Sequence, residues 1–97
     1  MKDYFYDSLA RGFGNVIVTR FGSVAINMYG DQKDSAVRLV AYDLNTESLN
    51  LLSKEDQRTH IIVDKTFDLS DVNFNVEITV FEKLNKIISS LEQELYK

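Results

Sequence analysis

The segments Val24–Tyr29 and Ala36–Leu44 both alternate in character with a period of two residues. In an extended strand successive side chains point to opposite faces, so every second residue shares a face. One face would hold Val24, Ile26, Met28, Val37, Leu39 and Ala41, and the other Ala25, Asn27, Tyr29, Arg38, Val40 and Tyr42. The pattern predicts two strands separated by the polar loop Gly30–Ser35.

Three further segments have the composition of strands. Asn15–Phe21 is rich in β-branched and apolar residues, and Gly22-Ser23 after it suits a type II′ hairpin to the next strand. Thr59–Thr66 contains a short apolar run and predicts another strand. Val72–Ile78 alternates cleanly between apolar and polar residues, which predicts a strand with one buried face.

The segment between Leu44 and Thr59 allows two interpretations. Residues 45–48 are typical of a turn, which would make Leu49–Leu52 a short strand in a hairpin. The alternative is a short helix capped at Thr46. The charged run Lys54–Arg58 is interpreted as a connection, and this favours the hairpin.

At Thr79 the period of the apolar residues along the chain changes from two residues to 3.6. Thr79 and Glu82 have the spacing of a capping box. The apolar stripe that follows consists of Phe81, Leu84, Ile88, Leu91 and Leu95, and Ile87 widens it. This predicts an amphipathic C-terminal helix whose stripe packs on the sheet or forms a dimer seam.

A short N-terminal helix is possible over Asp3–Arg11, with Asp3 as the N-cap and Gly12 ending it. The predicted architecture is a single α+β domain over residues 1–97. Its antiparallel sheet has five to six short strands in hairpins or a meander, covered by the C-terminal helix.

Composition narrows the function classes. The chain has no cysteine, which excludes disulfides, thiolate metal sites and cysteine nucleophiles, and is typical of a reducing, cytoplasmic location. No apolar run is long enough to span a membrane, and the N-terminus does not resemble a signal peptide. The net charge of −4 disfavours direct binding to nucleic acid.

No motif predicts a catalytic centre, a metal site or a cofactor. Gly12-Phe13-Gly14 precedes a predicted strand rather than a helix, which is the wrong position for a phosphate-binding loop. His60 is the only histidine, and Asp56 and Asp64 lie four residues away on either side. A His–Asp pair for acid–base catalysis is therefore conceivable, although a packing or surface role is more common for such a histidine.

The favoured hypothesis is a non-enzymatic protein-interaction domain, monomeric or homodimeric. Two kinds of protein fit this class. One is an inhibitor that occupies the basic groove of a nucleic-acid-handling protein, since phage anti-defence proteins are often of this size and charge. The other is an assembly subunit of a phage or bacterial complex. The candidate partner-binding residues are the aromatics Tyr4 and Tyr6 and the acidic cluster of Asp64, Asp68 and Asp71. The alternatives are a small-ligand binder that uses Tyr29, Arg38 and Tyr42 and a small enzyme that uses His60.

Overall fold

A computed structural model describes residues 2–16, 24–31 and 35–96 of the chain. In sequence order the elements are α1 (Lys2–Val16), β1 (Ile26–Asp31), β2 (Ala36–Tyr42), α2 (Thr46–Asn50), α3 (Lys54–Arg58), β3 (Ile61–Asp68) and α4 (Glu77–Leu95). The α+β class, the antiparallel sheet and the C-terminal helix are confirmed.

Within the described residues the sheet has three strands in the order β1-β2-β3, not five to six. Both pairs are antiparallel, and β2 lies in the centre. Leu39 is opposite Met28 on one side and Lys65 on the other. The register between β2 and β3 shifts between Ala41 and Tyr42. Because side chains alternate along a strand, this register assigns each residue to one of two faces.

The first face of the sheet packs against α1 and α4. Val37, Leu39 and Ala41 from β2 are completely buried there. They form one core with Phe5 and Leu9 of α1 and with five residues of α4, which are Val80, Leu84, Ile87, Leu91 and Leu95. The alternation predicted for β1 and β2 is confirmed, since Ile26 and Met28 pack against the same core.

The second face of the sheet is covered only at one end. Ala25, Val40, Tyr42 and Leu49 form a small second core, with Ile61 packed against it. Leu49 belongs to α2, so this helix closes the end of the face. The remainder of the face, around Tyr29 and Arg38, stays exposed.

The N-terminal helix is longer than predicted. Helix α1 continues through Gly12 and Gly14 to Val16, so Asn15 and Val16 are helical rather than the start of a strand. A glycine inside a helix costs about 1 kcal/mol relative to alanine. Phe5 and Leu9, one turn apart, are buried and anchor the helix in the core. Their packing outweighs the tendency of the two glycines to end the helix. The rest of the predicted strand Asn15–Phe21 and its Gly22-Ser23 loop lie outside the described residues.

The predicted strand Leu49–Leu52 is wrong, and the helical alternative is right with a different cap. The Asn45 side chain accepts a hydrogen bond from the Ser48 amide at 2.8 Å, so Asn45 and not Thr46 caps α2. The run Lys54–Arg58 is helix α3 instead of a connection. Its cap is Ser53, whose hydroxyl accepts from the Asp56 amide at 3.2 Å.

The predicted strand Val72–Ile78 is also wrong, because this segment consists of turns followed by the start of α4. The Asn73 side chain accepts from the Asn75 amide at 3.0 Å, and the Asn73 carbonyl accepts from the Val76 amide at 2.9 Å. Such local hydrogen bonds give the backbone an alternative to pairing in a sheet.

Helix α4 starts before Thr79 and is rotated relative to the predicted stripe. Its N-cap is Val76, which makes no side-chain capping bond. The Thr79 hydroxyl donates to the carbonyls of Asn73 and Val76, so no capping box forms at Thr79. Val80, which is outside the predicted stripe, is buried in the core, and so is Ile87, which widens the stripe. Phe81 is exposed and Ile88 is half-buried. Leu84, Leu91 and Leu95 are core residues, as the core interpretation of the stripe requires.

Candidate functional sites

The first candidate site is an exposed apolar surface formed by Tyr4 of α1 and by Ile78 and Phe81 of α4. The Tyr4 and Phe81 rings meet edge to face, with centroids 6.1 Å apart and planes at 85°. The exposed fractions are 44% for Tyr4, 62% for Ile78 and 38% for Phe81. Ile78 and Phe81 are three residues apart on a helix and therefore lie on neighbouring turns of one side. We call these three residues the Tyr4–Phe81 surface.

Exposed carboxylates frame the Tyr4–Phe81 surface. Asp3, Glu77 and Glu82 directly neighbour Tyr4, Ile78 and Phe81 in sequence, and all three acids are exposed. Glu77 and Phe81 are also four residues apart, as are Ile78 and Glu82, which places these pairs together on the helix surface. The surface thus has an apolar centre and an acidic edge.

The second candidate site is a cleft on the opposite side of the sheet, between the exposed part of the second face and α3. The sheet supplies Tyr29, Arg38, Val40, Tyr42 and Ile61, and α3 supplies Lys54, Gln57 and Arg58. The volume of the cleft is about 300 Å³. The side-chain amide of Gln57 donates hydrogen bonds to the backbone carbonyls of Leu49 and Leu52 at 3.0 and 3.3 Å. These bonds hold α3 against the end of α2.

Part of the sheet side of the cleft is a connected group of polar side chains, next to the apolar Val40 and Ile61. Asp64 accepts two hydrogen bonds from the Arg38 guanidinium, at 2.9 Å from Nε and 2.6 Å from Nη2. These bonds hold the pKa of Asp64 below its ordinary value. The Arg38 guanidinium also lies 5.8 Å from the centroid of the Tyr29 ring. Burial raises the pKa of Tyr42, and the neighbouring Tyr29 raises it further.

The structure therefore brings together the three residues that the sequence proposed for a small-ligand site, Tyr29, Arg38 and Tyr42. Periodicity placed them on one face, and the register of β1 against β2 makes Tyr29 and Arg38 direct neighbours. Lys54 and Arg58 were missed as site residues. Their spacing of four residues would indicate a shared helix face, but the sequence did not predict a helix there.

The candidate partner-binding residues do not form one surface. Tyr4 is exposed, whereas Tyr6 is half-buried and packs against Gly30 of β1. Asp64 is bound by Arg38 on the second face of the sheet. The Asp68 carboxylate accepts hydrogen bonds from the Ser70 hydroxyl and the Ser70 backbone amide, and these bonds lower the pKa of Asp68. Oδ1 of Asp71 is 3.2 Å from Nζ of Lys83 in α4. Ile78 was missed because the sequence assigned it to the buried face of a strand.

His60 lies in the turn before β3, and its partner is neither Asp56 nor Asp64. Its Nδ1 atom is 2.8 Å from Oδ1 of Asp43, at the end of β2. The Asp43 amide also donates to the His60 carbonyl at 2.9 Å. Asp64 is held by Arg38 instead. These contacts connect the ends of β2 and β3.

No helix in the described part of the chain is long and apolar enough to cross a membrane. Among residues 2–16, 24–31 and 35–96, no three histidine or acidic side chains are grouped so that they could hold a metal ion. Comparisons of the chain with protein-family models, with curated proteins and with solved structures give no match.

Proposed function

We propose that this protein is a non-enzymatic interaction domain that binds a partner protein through the Tyr4–Phe81 surface. The observation that carries the proposal is the exposed contact between Tyr4 and Phe81, extended by Ile78 at 62% exposure. Apolar side chains that cluster on the surface and are rimmed by polar groups are typical of protein-binding sites. Tyrosine is among the residues enriched at the energetic centres of such sites.

The acidic edge specifies the chemistry of the partner. Asp3, Glu77 and Glu82 would face the rim of any protein that covers the apolar centre. A rim of lysine and arginine would be attracted by them, and a carboxylate rim would be repelled. A second copy of this surface would place carboxylates near carboxylates. The proposed partner is therefore a different protein with an apolar projection or pocket inside a basic ring.

This partner chemistry fits both functional classes expected from the sequence. A protein that handles nucleic acid has a basic groove, and an acidic domain of net charge −4 can occupy it as an inhibitor. An assembly protein with a basic contact patch would be recognised through the same residues. Affinity for the partner should fall as salt rises, because the rim contacts are screened.

Paired variants test the surface. Ile78→Ser removes an exposed apolar side chain from it, and Leu51→Ser makes the same kind of change at a residue that is 87% exposed on the other side of the sheet. The immobilised wild-type protein and both variants are used to capture proteins from cells of the source organism. The captured partner is then purified and titrated against each variant.

The expected result is one partner retained by the wild-type protein and by Leu51→Ser. Its Kd should be at least ~10-fold weaker for Ile78→Ser and for Tyr4→Ala, the loss expected for central contact residues. Asp68→Asn/Asp71→Asn tests the acidic cluster separately. Equal affinity of Ile78→Ser, Tyr4→Ala and the wild-type protein for the purified partner would refute the proposal, as would the absence of any saturable partner.

A further inference from the structure

A second site, independent of the proposed function, lies in the cleft between the sheet and α3. We propose that this cleft binds a small organic phosphate, with the phosphate held by Lys54 and Arg58 and the organic group against Tyr29 and Ile61. The cleft and the Tyr4–Phe81 surface lie on opposite sides of the sheet, since β2 gives alternate residues to the two faces. Either site can therefore exist without the other.

The first argument is the local charge. Three of the eight residues that line the cleft are cationic, and none is acidic. Arg38 is already neutralised by two hydrogen bonds to Asp64. Lys54 and Arg58 have no ion-pair partner among the described residues. A protein with a net charge of −4 thus places at one cleft two cations that form no ion pair within the described part of the chain.

The second argument is geometry. Lys54 and Arg58 are four residues apart on α3, so their side chains project from one side of the helix on adjacent turns. Arginine can bind phosphate through two parallel hydrogen bonds, and lysine adds a mobile point charge. A phosphate monoester carries a charge between −1.5 and −2 near neutral pH. Its charge therefore matches that of the two cations.

The third argument is the wall that faces α3. Tyr29 is 51% exposed and Ile61 is half-buried, so the organic part of the ligand has a surface to cover. Val40 is only 2% exposed and lies beneath this surface. Tyr42 is only 5% exposed and holds its ring in the floor of the cleft. The lining is mostly polar, and the Tyr29 ring with Ile61 supplies its apolar part.

Size and surrounding charge select a small ligand rather than a polyanion. The volume of about 300 Å³ is at the lower end for small-molecule sites. A nucleic acid that entered the cleft would extend over the neighbouring acids Glu47, Glu55 and Asp56, which are exposed on α2 and α3. Repulsion by these carboxylates would oppose a long chain of phosphates more strongly than a single phosphate, because each further phosphate brings another negative charge near them.

The test is an NMR titration of the full chain with phenyl phosphate, inorganic phosphate and benzoate. Phenyl phosphate combines a phosphate monoester with a ring that can lie on Tyr29, and the other two probes each lack one of these features. The expected result is saturable shifts of backbone amides around Tyr29, Lys54 and Arg58, with phenyl phosphate the tightest ligand and a Kd at or below the low millimolar range. No saturable shift with phenyl phosphate would overturn the proposal.

Two double variants distinguish binding in the cleft from a general electrostatic attraction between the protein and the phosphate. Lys54→Gln/Arg58→Gln removes the two cleft cations, and Arg11→Gln/Lys86→Gln makes the same charge change at exposed residues of α1 and α4. The cleft variant should bind phenyl phosphate at least ~10-fold more weakly, and the control should keep the wild-type Kd. Equal weakening in both variants would overturn the proposal. A tyrosine-phosphorylated peptide that binds more tightly than phenyl phosphate would overturn the assignment to a free small molecule.

Discussion

Gly30 shows how a single residue depends on the tertiary structure. It lies in β1 opposite Val37, and the Tyr6 ring of α1 packs directly over it. A Cβ atom added at Gly30 would be 2.8 Å from Cε1 of Tyr6 and 3.1 Å from Cζ. The absence of a side chain therefore lets α1 approach this strand closely. This contact accounts for the half-buried position of Tyr6.

Gly30→Ala should lower the free energy of unfolding by about 1 kcal/mol, because the Tyr6 ring must move to admit the new methyl group. In a Tyr6→Ala background the same change should be neutral or stabilising, since the clash is gone and alanine restricts the unfolded chain more than glycine does. Urea denaturation of the four proteins in this cycle measures both effects. A similar loss in both backgrounds would contradict the proposed contact.

At the scale of elements, the segment Val72–Ile78 shows how a clean alternation can mislead. Val72 and Phe74 are half-buried against the main core, as inward residues of a strand would be. The backbone nevertheless forms a turn, because the Asn73 side chain accepts a hydrogen bond from the Asn75 amide and the Asn73 carbonyl accepts one from the Val76 amide. Val76 and Ile78 continue the alternation in sequence but are exposed, because α4 begins at Glu77. A pattern of four apolar residues thus spans two different backbone conformations.

The burial of Ile78 and Val80 distinguishes a strand from a helix at this position. In a strand these two side chains would lie on the same face, whereas in a helix they point to different sides. Val80 is completely buried and Ile78 is 62% exposed. Val80→Ala should lower the free energy of unfolding by about 1–3 kcal/mol through lost packing. Ile78→Ala should change it by less than about 0.5 kcal/mol, as is usual at exposed positions.

Chemical denaturation of these two variants and the wild-type protein measures the difference. Leu91→Ala, deeper in the same buried face, is a positive control and should cost about 2–5 kcal/mol. A loss at Ile78 that equals the loss at Val80 would show that Ile78 is buried, as the strand interpretation requires.

At the scale of the whole molecule, its acidic charge is unevenly distributed. The net charge is −4, yet the cleft between the sheet and α3 is lined by cations without acids. Carboxylates surround the Tyr4–Phe81 surface on the other side. One small fold therefore presents an acidic-edged apolar surface and a cationic cleft on opposite faces of the same sheet.

Stability should decrease in acid, because hydrogen bonds lower the pKa of Asp64 and of Asp68 in the folded state. Between the folded and unfolded pKa values the unfolded chain binds more protons, so acidification favours unfolding. This stabilisation is complete above about pH 4, near the ordinary carboxyl pKa, and is lost as the pH falls through the folded values. In Asp64→Asn/Asp68→Asn the slope of stability against pH below 4 should be shallower.

Urea midpoints measured from pH 2 to pH 7 test this expectation. Glu47→Gln/Glu55→Gln makes the same charge change at exposed helix residues and is the control for the loss of two negative charges. Identical slopes for the wild-type protein and Asp64→Asn/Asp68→Asn would contradict the assigned role of these two carboxylates.

The sequence by itself determined the elements whose burial follows a regular period. The alternation in Val24–Tyr29 and Ala36–Leu44 predicted β1 and β2 and the faces of their residues, because a strand with two different environments requires a period of two. The same alternation placed Tyr29, Arg38 and Tyr42 on one face. The apolar residues beyond Val80 predicted α4, since helical packing requires a period of 3.6.

Only the tertiary structure decided which face of α4 is buried, how far α1 extends and what residues 45–58 form. Phe81 and Val80 are equally suitable for a core, and contact with α1 and the sheet selected Val80. Helices α2 and α3 are too short to be stable by local preference, so their caps and the Gln57 contacts to α2 complete them. The cleft depends on these tertiary contacts. Arg38 lies in the sheet and Lys54 and Arg58 lie in α3, so the three residues line one cleft only when α3 is docked beside the sheet.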